Sequence, residues 1–214
     1  MARPRYTAPI RVRASLARRA GTRTPRQTLL IVCEGETEKY YFEALRAHYQ
    51  LRASEVVIPA DATGNDPGNL VRYAERRASE GFDFVYCVFD RDQHANFASA
   101  RQRIHLLANR RRPLPIYEAA SVPAFEVWVL QHFAQSEMPF ANADEVIAHL
   151  RGNPLPNYDK ADRRISERLV QNVDLAVRNA QWLAQRNAAS GSRNPFTNVH
   201  ELVLLIQRMA AEAG

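Results

Sequence analysis

Four short apolar runs alternate with helix-period segments over the first two-thirds of the chain, and each run stops at polar or turn-forming residues. The first, Leu29-Leu30-Ile31-Val32-Cys33, halts at Glu34-Gly35-Glu36-Thr37-Glu38. A continuous apolar run of this length, bounded by turn residues, predicts a buried strand over 28–34. The helix predicted over 37–49 places Tyr41, Phe42, Leu45 and Tyr49 on one face. A second strand is predicted over 55–60 and a turn-rich loop over 61–68. Asp66 before Pro67 then supplies an N-cap and a first-turn proline for a helix running to about residue 80. Phe82 to Phe89 reads as the third strand, ending in Asp90-Arg91-Asp92. A helix to about 109, with Phe97, Ile104, Leu107 and Ala108 inward, leads to Arg110-Arg111-Arg112. Leu114 to Ala120 predicts a fourth strand, broken by Ser121-Val122-Pro123. The helix beyond it carries Phe125, Val127, Trp128, Val129, Leu130 and Phe133, apolar nearly all round and therefore buried.

From residue 140 onward only helices are predicted. One covers 143–150, stopped by Gly152-Asn153-Pro154. A long one covers 160–188, with Ile165, Leu169, Val173, Ala176, Ala180 and Leu183 as its stripe. A last one follows in which Asn198 and Glu201 fit a capping box. Strands alternating with helices argue for a mostly parallel sheet with helices on both faces. The expected division is a basic arm over 1–27, an α/β core over 28–140, and a helical extension over 141–214 packed on that core.

This order changes the meaning of the polar residues at the strand ends. Right-handed crossovers bring the ends of strands one and three to the same sheet edge, where open α/β sheets gather their ligands. Glu34 and the Asp90-x-Asp92 pair would meet there. Carboxylates held together raise one another's pKa unless a cation neutralises them, and an all-oxygen donor set suits Mg²⁺ or Mn²⁺. Such an ion polarises a phosphoryl oxygen or acidifies a bound water, with Glu34 as ligand or general base. Glu38 is a further candidate for the metal, although a carboxylate in a first helical turn also suits the helix dipole. Glu36 reads as a solvated turn residue. Glu126, polar on so apolar a helix, needs a partner and is read as a third acidic member. Lys160 is placed at a helix start, where its charge opposes the dipole. A phosphate contact or a pairing with Asp159 or Asp162 would explain it. His200 and His94 are lesser candidates.

Composition narrows the class. The 214 residues are 46% hydrophobic and 24% charged, as in a globular protein. No apolar run reaches the ~18 residues that cross a bilayer, and a cytoplasmic location is expected. The net charge is +6, but the first 27 residues hold eight arginines and no acid, leaving 21 basic against 23 acidic residues in the body. That arm suits salt-dependent phosphate binding or a solvated tail. The Arg110–Arg112 triplet suits a helix dipole or a phosphodiester backbone. Cys33 and Cys87 lie in apolar runs and read as reduced core thiols. The Gly64–Gly68 segment lacks the following lysine of a phosphate-binding loop. No Ser-His-Asp order, HExxH or zinc spacing is present.

The strand ending in Glu34-Gly35-Glu36-Thr37-Glu38, followed by one ending in Asp90-Arg91-Asp92, resembles the Toprim domain of topoisomerases, primases and OLD-type nucleases. The segments Leu30–Phe42, Val88–Asp92, Ser121–Phe133, Tyr158–Lys160 and Asn194–Val203 in this order are similar in more detail to the RloB family of bacterial defence-associated proteins. The resemblance spans about 28–205. It implies a Toprim-like fold and a divalent-metal phosphodiester site in which Glu34, Asp90 and Asp92 hold Mg²⁺ or Mn²⁺. It also implies a metal-dependent nuclease of an anti-phage system acting on DNA or RNA, and an AAA/ABC-type ATPase partner. The alternatives are a non-catalytic Toprim-like subunit and a nucleic-acid-binding module working with that ATPase.

Overall fold

A computed structural model describes residues 27–59, 66–91 and 95–213. In chain order the elements are β1 (Leu29–Cys33), α1 (Glu36–His48), β2 (Ser54–Val57), α2 (Pro67–Ala78), β3 (Phe84–Asp90), α3 (Phe97–Asn109), β4 (Ile116–Val122), α4 (Glu126–Gln131), α5 (Ala143–Gly152), α6 (Arg163–Leu169), α7 (Val173–Ser190), β5 (Phe196–Thr197) and α8 (Val199–Ala213). The strands form one sheet in the order β2-β1-β3-β4-β5. The first four are parallel and β5 is antiparallel to β4. The fold is thus mixed α/β around a mostly parallel sheet.

The apolar runs form strands because both of their faces are covered. Alternation sends Leu29, Ile31, Cys33, Tyr86 and Val88 into a large core shared with α1 and α4–α8. Leu30, Val32, Val85, Cys87 and Phe89 enter a smaller core with α2 and α3. The continuous hydrophobicity of β1 and β3 is the pattern expected of parallel strands buried on both sides. Helices α5 to α8 contribute to the same large cluster as β1 and α1, so residues beyond 140 have no core of their own among the described residues.

Strand order decides where the site lies. The chain moves from β1 outward to β2, then crosses back to place β3 on the other side of β1. The carboxyl ends of β1 and β3 therefore flank a topological switch point, where open α/β sheets offer a crevice. Glu34 follows β1, and Asp90 ends β3.

Asp66 caps α2 as expected, its Oδ1 accepting the N–H groups of Gly68 (2.8 Å) and Asn69 (3.1 Å). Elsewhere the structure corrects the expectation. The helix expected over 160–188 is broken. Asp162 caps α6 by accepting Arg164 N–H at 2.7 Å, and a 3₁₀ turn over Val170–Asn172 separates α6 from α7. Lys160 thus precedes the helix rather than opening it. The break is invisible to periodicity because Ile165, Leu169, Val173, Ala176, Ala180 and Leu183 all stay in the large core across it. The capping box expected of Asn198 is also displaced. Its Oδ1 accepts Ala120 N–H at 2.7 Å, and its Nδ2 donates to the Glu118 carbonyl at 3.3 Å, fastening the start of α8 to β4. Strand β5, two residues long, carried no sequence signal. Residues 1–26 of the basic arm, Asp92 and His94 lie outside the described residues. No described helix is long and apolar enough to cross a membrane.

Candidate acidic site

The acidic edge is built from three chain connections. At the end of β1, Glu34 N–H donates to the Val88 carbonyl at 3.1 Å, which continues the β1–β3 pairing one residue past the strand. The Glu34 carboxylate turns back and accepts Asp90 N–H on its Oε2 at 3.1 Å. Asp90 itself pairs with Ser121 of β4 and shares the strand face of Tyr86 and Val88, toward α1 and α4. Its carboxylate accepts a hydrogen bond from Phe125 N–H, and its Oδ1 is enclosed without a partner.

Gly35 is the N-cap of α1, in extended backbone conformation (φ −139°) open to any residue. Space, not torsion, accounts for glycine. A Cβ there would lie 3.0 Å from Glu38 Oε2, the oxygen that accepts Gly35 N–H at 3.0 Å. Glu38 is thereby folded back over the helix start and buried on the same face as Tyr41 and Phe42. Glu36 is exposed, as expected.

Glu126 opens α4 just beyond the end of β4 and is 1% exposed. The partner its sequence position demands comes from the α5–α6 connection. Tyr158 Oη donates to Glu126 Oε1 at 2.9 Å, and Lys160 Nζ lies 3.5 Å from the same oxygen. Glu126 Oε2 is enclosed and unpartnered. Lys160 therefore pairs with Glu126 across the site, not with Asp159 or Asp162. The loop that delivers it is pinned by two hydrogen bonds and turned at Ala161. Arg151 Nε donates to the Tyr158 carbonyl (2.9 Å), Ala161 N–H donates to Thr37 Oγ1 (3.1 Å), and Ala161 adopts a left-handed φ of 58°.

Electrostatics bind these residues into one unit. Burial, then the charges of Glu126 and Glu34, push Glu38 up to about 7 against a hydrogen bond from its own backbone N–H. Burial, then Glu38, Glu126 and Glu34, hold Asp90 well above the usual carboxylate range. Burial alone would lower Lys160, but Glu126, Asp90 and Glu38 together raise it and keep it cationic.

Donor chemistry at this edge suits a hard cation. The donors are carboxylate oxygens, and two enclosed ones, Asp90 Oδ1 and Glu126 Oε2, have no hydrogen-bond donor. Among the described residues, however, no three His, Cys, Asp or Glu side chains come together closely enough to hold a metal ion by themselves. Glu34 and Asp90 would be the holding pair, with Asp92 outside the described residues.

His200 stands apart. It is buried on α8, its Nδ1 lacks a partner, and burial lowers its pKa against a hydrogen bond with the Thr197 backbone. No contact joins it to the acids among the described residues. Arg110 to Arg112 are exposed between α3 and β4, at the sheet edge opposite Glu34 and Asp90. Cys33 and Cys87 are buried, free thiols with raised pKa values. Sequence reasoning missed Tyr158. The signal was present in the Tyr158-Asp159-Lys160 segment, but nothing local shows that its hydroxyl reaches a glutamate 32 residues earlier.

A protein-family profile described as RloB-like protein matches residues 29–206, well over half of the chain. No curated protein and no solved structure gives a significant match.

Proposed function

From its place in the RloB-like family, to which this chain belongs, we propose that it is a divalent-metal-dependent nuclease hydrolysing phosphodiester bonds of DNA or RNA in the bacterial cytoplasm. The observation that carries this reading is the enclosed, unpartnered Asp90 Oδ1 at the switch point of a parallel sheet, beside Glu34. A buried carboxylate oxygen with no donor, surrounded by other acids, is stabilised by a cation or by a proton, and the site's position favours a ligand.

A bound Mg²⁺ or Mn²⁺ would supply polarisation of a phosphoryl oxygen and acidification of water. Glu34 and Asp90 would hold it, with Asp92 expected to join them. The remaining duties fall to the chain itself. Asp90 N–H orients the Glu34 carboxylate, Gly35 N–H fixes Glu38, and Tyr158 holds Glu126 against the interior. Lys160, its side chain half exposed, presents positive charge at the rim where an anionic backbone would approach. The Toprim-like assignment, the anti-phage role and an AAA/ABC-type ATPase partner belong to the same proposal.

A second reading is a non-catalytic subunit acting through that partner. It is favoured by the lack of a three-donor cluster among the described residues. Incubating the purified protein with plasmid, single-stranded DNA and tRNA in Mn²⁺, Mg²⁺ or EDTA separates the two. The nuclease reading expects metal-dependent cleavage, abolished by EDTA and by Asp90→Ala. Equal cleavage by Asp90→Ala sinks the site assignment. Inertness toward all three substrates, together with no calorimetric binding of Mn²⁺, favours the subunit.

A further inference from the structure

Lys160 pairs with Glu126, a buried carboxylate of the acidic edge. It comes from a loop of the helical extension whose anchors, Arg151 to the Tyr158 carbonyl and Thr37 to Ala161 N–H, leave it little freedom. Its Nζ lies 3.5 Å from Glu126 Oε1 and acts electrostatically on Asp90 and Glu38 as well. Glu126 is 1% exposed, and while its Oε1 accepts Tyr158 Oη, its Oε2 is enclosed with no donor. A buried carboxylate half satisfied in this way is a cation-binding feature whose cation is already supplied by the chain.

We propose that the Lys160 ammonium is a built-in cation that neutralises the Glu126 side of the acidic edge, so that the chain binds a single divalent ion, at Asp90 and Glu34, where a fully carboxylate-lined edge would bind two. The inference rests on the metal reading given above and deepens it. Phosphodiester chemistry can use two positive centres, one at the attacking and one at the leaving oxygen. Here the second centre is an ammonium, strongly hydrated, compact and attached to a flexible stem. Tyr158 acts as its positioning partner. By engaging the same Glu126 oxygen, it turns that oxygen toward Lys160.

Counting bound ions tests the idea without reference to activity. The full chain is titrated with Mn²⁺ alone by calorimetry, and bound Mn²⁺ is counted by the loss of its free-ion spectroscopic signal. Wild type and Lys160→Arg are expected to bind one ion per chain. Lys160→Met, which keeps the stem but not the charge, should bind a second ion or hold the first about tenfold more tightly or better. Because Lys160 is half exposed, Lys160→Met should fold, and its melting transition in EDTA checks this. Two ions bound by wild type, or Lys160→Met indistinguishable from wild type in number and affinity, overturns the inference while the metal reading stands. No Mn²⁺ bound by wild type overturns both.

Discussion

Asp90 N–H donates to Glu34 Oε2 at 3.1 Å across 56 residues of chain. This bond turns two strand ends into one unit. It adds a side-chain tie to the backbone bond by which Glu34 N–H holds the Val88 carbonyl. Glu34→Gln keeps an acceptor for Asp90 N–H, whereas Glu34→Ala leaves that N–H without its partner. The alanine variant should lose about 1–2 kcal/mol of stability and the glutamine variant less. Both should lose Mn²⁺ binding. Urea unfolding of the two variants in EDTA, followed by calorimetry, checks the split between structural and ligand roles.

Burial of these acids, reinforced by their mutual repulsion, predicts an unusual pH dependence. Glu38 ionises at about 7 in the folded protein against 4.5 ordinarily, so between these values the folded state binds the extra proton. Stability of the metal-free protein must therefore be highest below about 4.5 with respect to this group and be lost as pH rises through about 7. The full effect approaches about 3 kcal/mol. Asp90, raised in the same direction, adds to it. Glu38→Gln should flatten the slope between pH 5 and 8 and stabilise the metal-free protein at pH 8. Denaturant unfolding at the two pH values measures it. A stability that rises with pH over this interval would contradict the assignment.

Gly35→Ala separates steric from energetic demands. The new Cβ would meet only the far end of the Glu38 side chain, at 3.0 Å, and the backbone there suits any residue. The carboxylate can give way, so the loss of stability should stay near or below about 1 kcal/mol. The displaced Glu38 should nonetheless cost metal-dependent cleavage about tenfold or more. A melting temperature close to wild type with reduced cleavage is the expected pair of results.

Tyr158→Phe removes the single hydroxyl donor to Glu126, leaving a buried carboxylate with Lys160 alone. Charged hydrogen bonds of this kind contribute about 1.5–3 kcal/mol, and urea unfolding should show a loss of that order. Glu126→Gln relieves the same site of its charge, so the double variant with Tyr158→Phe should lose less than the sum of the two single changes. Additive losses would show that the two groups do not interact.

Much of this arrangement was legible in the chain before folding, and the exceptions share a cause. The strands announce themselves because Leu29–Cys33 and Val85–Phe89 are buried on both faces and stop at charged residues. Their order places Glu34 and Asp90 at one edge. Glu126 could be read as a residue in need of a partner because its helix is otherwise apolar. The identity of that partner was not legible. Tyr158 and Lys160 reach it through a loop whose path is set by tertiary anchors such as Thr37 Oγ1. The broken helix after Asp162 was hidden for the complementary reason, since its apolar stripe continues across the 3₁₀ turn. The diversion of Asn198 to β4 is the same kind of event, a local capping pattern overridden by a strand in need of an acceptor.

A crystal soaked in Mn²⁺ would show whether Asp90 and Glu34 are the metal-holding pair of this edge. One anomalous peak is expected within coordination distance of the Asp90 and Glu34 carboxylates and none between Lys160 and Glu126. A peak elsewhere, or no peak beside Asp90 at a Mn²⁺ concentration that supports cleavage, would contradict that assignment.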